Sequence, residues 1–271
     1  EARAVIYGMP MDWTASFRPG SRFGPRRIRE VSLVLEEYSP HLGRELGEVP
    51  FYDAGDIPLP FGNPGRSLEK IGRFVAEVLQ RDKMPIGLGG EHLVTWPVVR
   101  EVYKHFPDLA VIHMDAHADL RTEYEGETLS HATPLRKIAE LIGPENVIQL
   151  GIRSGTREEF EYAASSGIRF HPFEVLKPLV EELPALAGRP VYVTVDIDVL
   201  DPAFAPGTGT PEPAGITSRE LMESLHAIAR SEVKVVGADL VEVAPAYDPT
   251  DQTAVAAAKM VREMLLGFVP A

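Results

Sequence analysis

The sequence predicts an α/β protein built on a parallel sheet covered on both faces, and three observations point there. Short apolar runs alternate with amphipathic helical patterns from one end of the chain to the other, as repeated strand–helix units do. The runs are apolar nearly throughout, which suits strands buried on both sides. The chain has 271 residues, 44% hydrophobic and 25% charged, enough for one large buried core.

Taken in order, strands are expected near Ala4–Gly8, Phe51–Asp53, Pro85–Leu88, Ala110–Met114, Val147–Gly151, Arg169–Phe170, Val191–Val195 and Val233–Asp239. Ser67 is expected to open a helix with Leu68, Ile71, Val75, Val78 and Leu79 on one face. Thr156 with Glu159, and Thr217 with Glu220, have the spacing of capping boxes. The helix Thr217–Arg230 carries Leu221, Met222, Leu225 and Ile228 as its inward stripe. No repeat, low-complexity tract or linker interrupts the pattern, so residues 1–271 are expected to form a single domain. Two long connections, Gly8–Pro25 and Pro202–Gly215, hold aromatic residues and prolines. Such loops in a compact domain are usually functional, and these are expected to wall a site or an oligomer contact.

Composition narrows the function. The net charge of −13, from 27 basic and 40 acidic residues, argues against nucleic acid as a partner. It is compatible with a cationic substrate. There are no cysteines, so disulfides and thiolate–metal sites are excluded, and any metal must be held by oxygen and imidazole. No apolar run approaches the ~20 residues of a membrane span, and nothing at the N-terminus resembles a signal peptide. No membrane partner and a cytoplasmic location are the expectations.

Five polar clusters fall at expected C-terminal strand ends, the edge where open α/β sheets bind ligands. In VIHMDAHAD, the run Val111–Met114 leads into Asp115, His117 and Asp119 at alternate positions. A strand sends alternate side chains to one face. Two carboxylates and an imidazole that close are poorly satisfied without a cation between them. A strand end feeding a polar turn is the ordinary alternative. Asp196 and Asp198 repeat the spacing after the apolar run VYVTV. His92 follows Gly89-Gly90-Glu91, and alone is a weak signal, since single histidines are often structural. Ser130-His131 follows an acidic stretch, and Glu242 interrupts Val241 and Val243, where an exposed alternate position explains it equally well.

Together His92, Asp115, His117, Asp119, Asp196 and Asp198 supply two imidazoles and four carboxylates. That is too many for one tetrahedral ion and suits two ions sharing carboxylates. Two ions ~3.5–4 Å apart lower the pKa of water from ~15.7 toward neutrality. The hard ligand set points to Mn²⁺, two per chain, with Mg²⁺, Co²⁺ or Zn²⁺ as alternatives.

GGEH, DAHAD and DIDVLDP, in this order and spacing, resemble the metal-binding motifs of the ureohydrolases, the arginase–agmatinase family. The match runs from GMPMDWTASFRPGSRFGP to DLVEVAPAYD. The resemblance implies a three-layer α/β/α fold around an eight-stranded parallel sheet. It implies a dimanganese site whose bridging hydroxide attacks a guanidinium carbon and releases urea. By position, His92 and Asp119 would serve one ion, His117 and Asp198 the other, with Asp115 and Asp196 bridging. His131 matches the family's proton-shuttling histidine, Glu242 the glutamate that pairs with the guanidinium, and Thr210 a threonine lining the pocket. The family also implies a homo-oligomer, trimer or hexamer.

Arginases follow their DAHxD motif with an Asn and a Ser that hold the substrate α-carboxylate. Here Leu120–Glu127 lacks the Asn and resembles the agmatinase pattern DLRxxYxGxxxSHA. The expected reaction is therefore agmatine and water to putrescine and urea, with Glu123, Glu125 and Glu127 suiting the ammonium end. Arg121 favours the alternative, guanidinobutyrate or another guanidino acid, if it faces the pocket; arginine ranks after these. Metal-dependent deacetylases share the fold, but they use a reduced ligand set. A non-catalytic metal-binding homologue would need neither His131 nor Glu242.

Overall fold

The computed structural model describes residues 2–270. Among these residues ten strands occur, β1 (Ala4–Met9), β2 (Tyr38–Ser39), β3 (Arg44–Glu45), β4 (Phe51–Asp56), β5 (Met84–Gly89), β6 (Ala110–Met114), β7 (Val147–Ile152), β8 (Arg169–Pro172), β9 (Pro190–Asp196) and β10 (Lys234–Val241). Short β2 and β3 form a separate antiparallel ribbon; the other eight form one sheet in the order β4-β1-β5-β10-β9-β6-β7-β8. Every pairing within it is parallel. The helices are α1 (Gly24–Ser32), α2 (Pro64–Leu79), α3 (Thr95–His105), α4 (Pro134–Ile142), α5 (Arg157–Ser166), α6 (Leu176–Glu182), α7 (Ser218–Arg230) and α8 (Gln252–Phe268).

The expected eight-stranded parallel sheet is therefore present, and its strands divide two apolar cores. On β6, Ala110, Ile112 and Met114 face the core shared with α1, α6, α7 and α8, while Val111 joins the one under α2, α3, α4 and α5. All five residues of β6 are buried, which is why its sequence shows no polar alternation. Among the described residues no helix is long and apolar enough to cross a membrane.

Local signals held with two exceptions. The helix expected to open at Ser67 begins three residues earlier. Asn63 accepts the Arg66 N–H at 3.0 Å and Pro64 occupies the first turn, a pairing of cap and fixed φ that overrides Ser67. Ser67 is instead buried, donating to the Asn63 carbonyl at 2.8 Å and accepting from Trp13 Nε1 at 3.1 Å. The Thr156–Glu159 box forms in both directions. At Thr217 only the bond from the Glu220 N–H forms, at 3.1 Å.

Candidate metal centre and its cavity

The chain leaves β5 and next enters the sheet at β6, three places away; β9 and β10 later fill the gap. The C-terminal ends of these four central strands converge, and each contributes to one buried polar cluster. After β5, Gly90 lets its turn lie against residue 11: a Cβ there would sit 1.9 Å from the Met11 carbonyl oxygen. His92 follows, almost fully buried.

Nδ1 of His92 lies 2.9 Å from Asp115 Oδ2, 3.2 Å from Asp119 Oδ2 and 3.3 Å from Asp196 Oδ2. It nevertheless has no hydrogen-bond partner, while its Nε2 is 3.0 Å from Thr194 Oγ1. His117 Nδ1 stands 3.0 Å from Asp198 Oδ2 and 3.6 Å from Asp115 Oδ1. Two groups of donor atoms, each within 4.8 Å of one another, are thereby formed: His92, His113, Asp115 and Asp119, and then Asp115, His117 and Asp198. Asp115 belongs to both. An unpartnered imidazole nitrogen ringed by carboxylate oxygens fits a divalent cation, and the shared carboxylate fits two.

Without a cation, protons balance the cluster. Burial and then the Asp115 charge push Asp119 up to about 7. Burial, then Asp198 and Asp115, carry Asp196 well above the carboxylate range. Burial opposes charge on His92 and His117, but their carboxylate neighbours raise both well above the usual imidazole value. Two residues here have left-handed backbones, Asp119 at φ 53° and Glu242 at φ 64°. Non-glycine residues in that region cost roughly 1–3 kcal/mol each and gather at functional sites.

A cavity of about 220 Å³ opens above the cluster, with His131, Glu242, Thr210 and Arg121 on its walls. Glu242 is 7% exposed, so it is no exposed alternate position; its Oε1 accepts the His92 N–H at 2.8 Å. Burial, then the Glu91 charge, hold its carboxyl well above the usual range. Thr210 Oγ1 lies 3.4 Å from Asp198 Oδ2. His131 Nε2 is 2.9 Å from Ser16 Oγ, and the backbone N–H of His131 donates to Thr14 Oγ1 at 2.9 Å. Burial, then neighbouring His117, His92 and Arg121, push its imidazole down to about 4, so it is neutral near pH 7.

Arg121 reaches this cavity, but it is already engaged. Its Nε is 3.5 Å from Glu159 Oε2, and its guanidinium sits 4.9 Å from the centre of the Tyr124 ring. The acidic side chains placed beside the substrate by sequence lie elsewhere. Glu125 and Glu127 line a neighbouring cavity that shares Ser16 and Tyr124, and Glu123 lines a third beside Arg121. Local spacing could not show this, because the Tyr124–Glu127 turn closes on itself through two backbone hydrogen bonds. The long connection 8–25 walls the site as expected, tied down by the Thr14 N–H on Glu91 Oε2 at 2.9 Å and by buried Asp12 under Gly20 and Arg22.

Sequence reasoning passed over Ser16 and His113, and read Glu159 only as the helix cap it also is, not as the partner of Arg121. For His113 a signal existed: it continues the alternate-position series His113, Asp115, His117, Asp119 one step upstream.

A parallel α/β sheet that gathers imidazoles and carboxylates around a shared aspartate at its C-terminal edge defines a metal-dependent class of α/β protein. The profile of the arginase family matches residues 2–267. The chain belongs to the arginase family. It is 67% identical to the agmatinase of Bacillus subtilis (strain 168), across 99% of this chain and 93% of that one. It is 35% identical to the guanidinobutyrase of Pseudomonas aeruginosa, across 97% and 85%. The crystal structure of agmatine ureohydrolase from Thermoplasma volcanium superposes with a TM-score of 0.89 at 34% identity, covering 98% of this chain and 90% of that one.

Proposed function

We propose that this protein is a ureohydrolase that converts agmatine and water to putrescine and urea. The observation that carries the reading is the pair of donor groups joined by Asp115 beneath Glu242, in a chain two-thirds identical to an agmatinase. His92 and Asp119 would hold one Mn²⁺, His117 and Asp198 the other, and Asp115 and Asp196 would serve both. When bound, such a pair lowers the pKa of water toward neutrality and so makes a hydroxide nucleophile accessible.

The chain's own residues account for the remaining steps. Glu242 spends one oxygen on the His92 N–H, leaving the other to receive a guanidinium. Neutral His131, steadied by Ser16 and Thr14, can accept a proton and return it to the amine that departs as putrescine. The distal end of the cavity sets specificity. Arg121 already has Glu159 and Tyr124 as partners, so a substrate carboxylate must compete for it, and arginine would be desolvated there without a dedicated partner. A homo-oligomer, trimer or hexamer, is part of the same proposal; Leu33 and Val34, exposed just past the end of α1, and Phe51 and Tyr52, exposed on edge strand β4, support it. So are a single domain and a cytoplasmic setting.

The test is urea release with Mn²⁺ across agmatine, arginine and 4-guanidinobutyrate on one preparation, repeated with Arg121→Ala. Agmatine is expected to lead arginine by roughly 10³-fold in kcat/KM. If guanidinobutyrate leads, and loses that lead in the variant, the substrate is a guanidino acid, as for the Pseudomonas relative.

A further inference from the structure

We infer that His113 is a positioning residue: locked by Gln149 with its proton on Nε2, it donates to Asp115 and fixes the carboxylate that both donor groups share. It is not itself a ligand, although its ring stands among the ligand atoms of one group. The inference rests on the proposed role of Asp115.

The tautomer follows from a chain of contacts. His113 and Gln149 are paired in register on β6 and β7, and both are fully buried. Gln149 Nε2 lies 2.7 Å from the Ala118 carbonyl oxygen and 3.1 Å from His113 Nδ1. Ala118 sets the amide's orientation, because a flipped amide would press its oxygen against that carbonyl oxygen. The amide nitrogen only donates, and its two hydrogens go to Ala118 and to Nδ1. Nδ1 is therefore the acceptor, so the proton of the neutral ring is on Nε2. That atom lies 2.8 Å from Asp115 Oδ2. With one nitrogen lone pair facing Gln149 and the other nitrogen protonated, His113 has nothing left to offer an ion.

The consequence falls on Asp115. Its Oδ1 accepts the His117 N–H at 2.6 Å and its Oδ2 accepts from His113 at 2.8 Å. An ionised carboxylate has about four lone-pair sites. One on each oxygen is used, one on each remains, and the carboxylate plane is held from both sides. A carboxylate that must face two ions at once needs that arrangement. A neutral donor provides it without cancelling the negative charge, as an Arg or Lys would.

The experiment measures Mn²⁺ affinity by equilibrium dialysis for the wild type, His113→Phe and His113→Gln, with Asp115→Asn alongside. Phe keeps a ring and loses the donor; Gln keeps an amide donor near the Nε2 position. His113→Phe should bind roughly 10- to 100-fold more weakly, and His113→Gln should stay within about threefold of wild type, as outer hydrogen-bond partners do. Unchanged affinity in the Phe variant would make His113 a core residue only. Complete loss of one ion in both variants would make it a ligand. Asp115→Asn separates the two claims: if it still binds two ions normally, the reading of Asp115 fails, whatever His113 does. Should His113→Phe not fold, ring ¹⁵N NMR of the Zn²⁺-loaded wild type decides. A protonated Nε2 and unprotonated Nδ1 agree with the inference, and the reverse overturns it.

Discussion

Two buried clusters in this protein set histidine beside carboxylate and behave in opposite ways. Beneath the β2–β3 ribbon, Glu263 on α8 accepts from Ser39 Oγ at 2.7 Å and His226 Nε2 at 2.8 Å with one oxygen, and from Arg262 with the other. Arg262 adds a bond to the Glu36 carbonyl at 2.5 Å. Each charge there meets an opposite one. Burial opposes ionisation of Glu263, but these bonds hold it below the usual carboxylate range. At the strand ends, by contrast, four aspartates surround two imidazoles, one facing nitrogen has no partner, and two of the aspartates are pushed toward protonation. A closed cluster holds a fold together; an open one binds something.

The contrast can be broken from either side. The largest effect should come from Asp198→Ala. Loss of one ion is expected to cut kcat/KM by roughly 10³-fold or more, several kcal/mol of transition-state stabilisation. The melting temperature of the metal-free protein should hold or rise, since one crowded carboxylate is gone. Unchanged metal content, read by elemental analysis, would count against a two-ion centre. Next is Glu263→Ala, which strands Arg262 in a buried position. It should cost about 3–5 kcal/mol by denaturant unfolding while leaving kcat of the folded fraction intact. A loss of turnover without a loss of stability would erase the distinction between the clusters.

The smallest effect is a difference in pH slope. Glu263 has an ordinary value of 4.5 and a lower one in the fold, so its stabilisation is present above pH 4.5 and lost on acidification. At the candidate centre, Asp119, Asp196, His92 and His117 are all raised. Once unfolded histidines lose their protons near 6.5, the metal-free folded state binds more protons than the unfolded one, and stability falls as pH rises further. The lowered histidines, His113 and His131, act only below that point. Bound ions replace those protons, so melting curves of loaded protein should lose the alkaline decline. Identical slopes with and without Mn²⁺ would contradict the assignment.

Much of this was legible in the sequence. Each of the eight expected strands occurs. The six inner ones show themselves because a strand buried on both faces is an apolar run, whatever lies beside it. Edge strands β4 and β8 are exposed or half-buried and carry a weaker signal. The six proposed ligands converge because each follows such a run. What stayed hidden depends on neighbours remote in sequence. The strand order was out of reach, and so was the pairing of Arg121 with Glu159. Gln149 looks like any polar interruption of β7 until His113 is seen across the ladder. The start of α2 is the reverse case: Asn63-Pro64 was readable locally, and Ser67 was the weaker of two competing caps.

The strand order also has a consequence for synthesis. β10, which lies between β5 and β9 in the middle of the sheet, is the last strand to leave the ribosome. Until it arrives, a nascent chain has two unpaired strand edges facing one another across an open seam, and Glu242 does not yet exist. The pairing that closes the seam joins residues about 150 positions apart, the kind of non-local contact that slows folding. Arrest or cleavage between Asp198 and Lys234 therefore yields a chain with all six proposed ligands and no closed sheet to hold them.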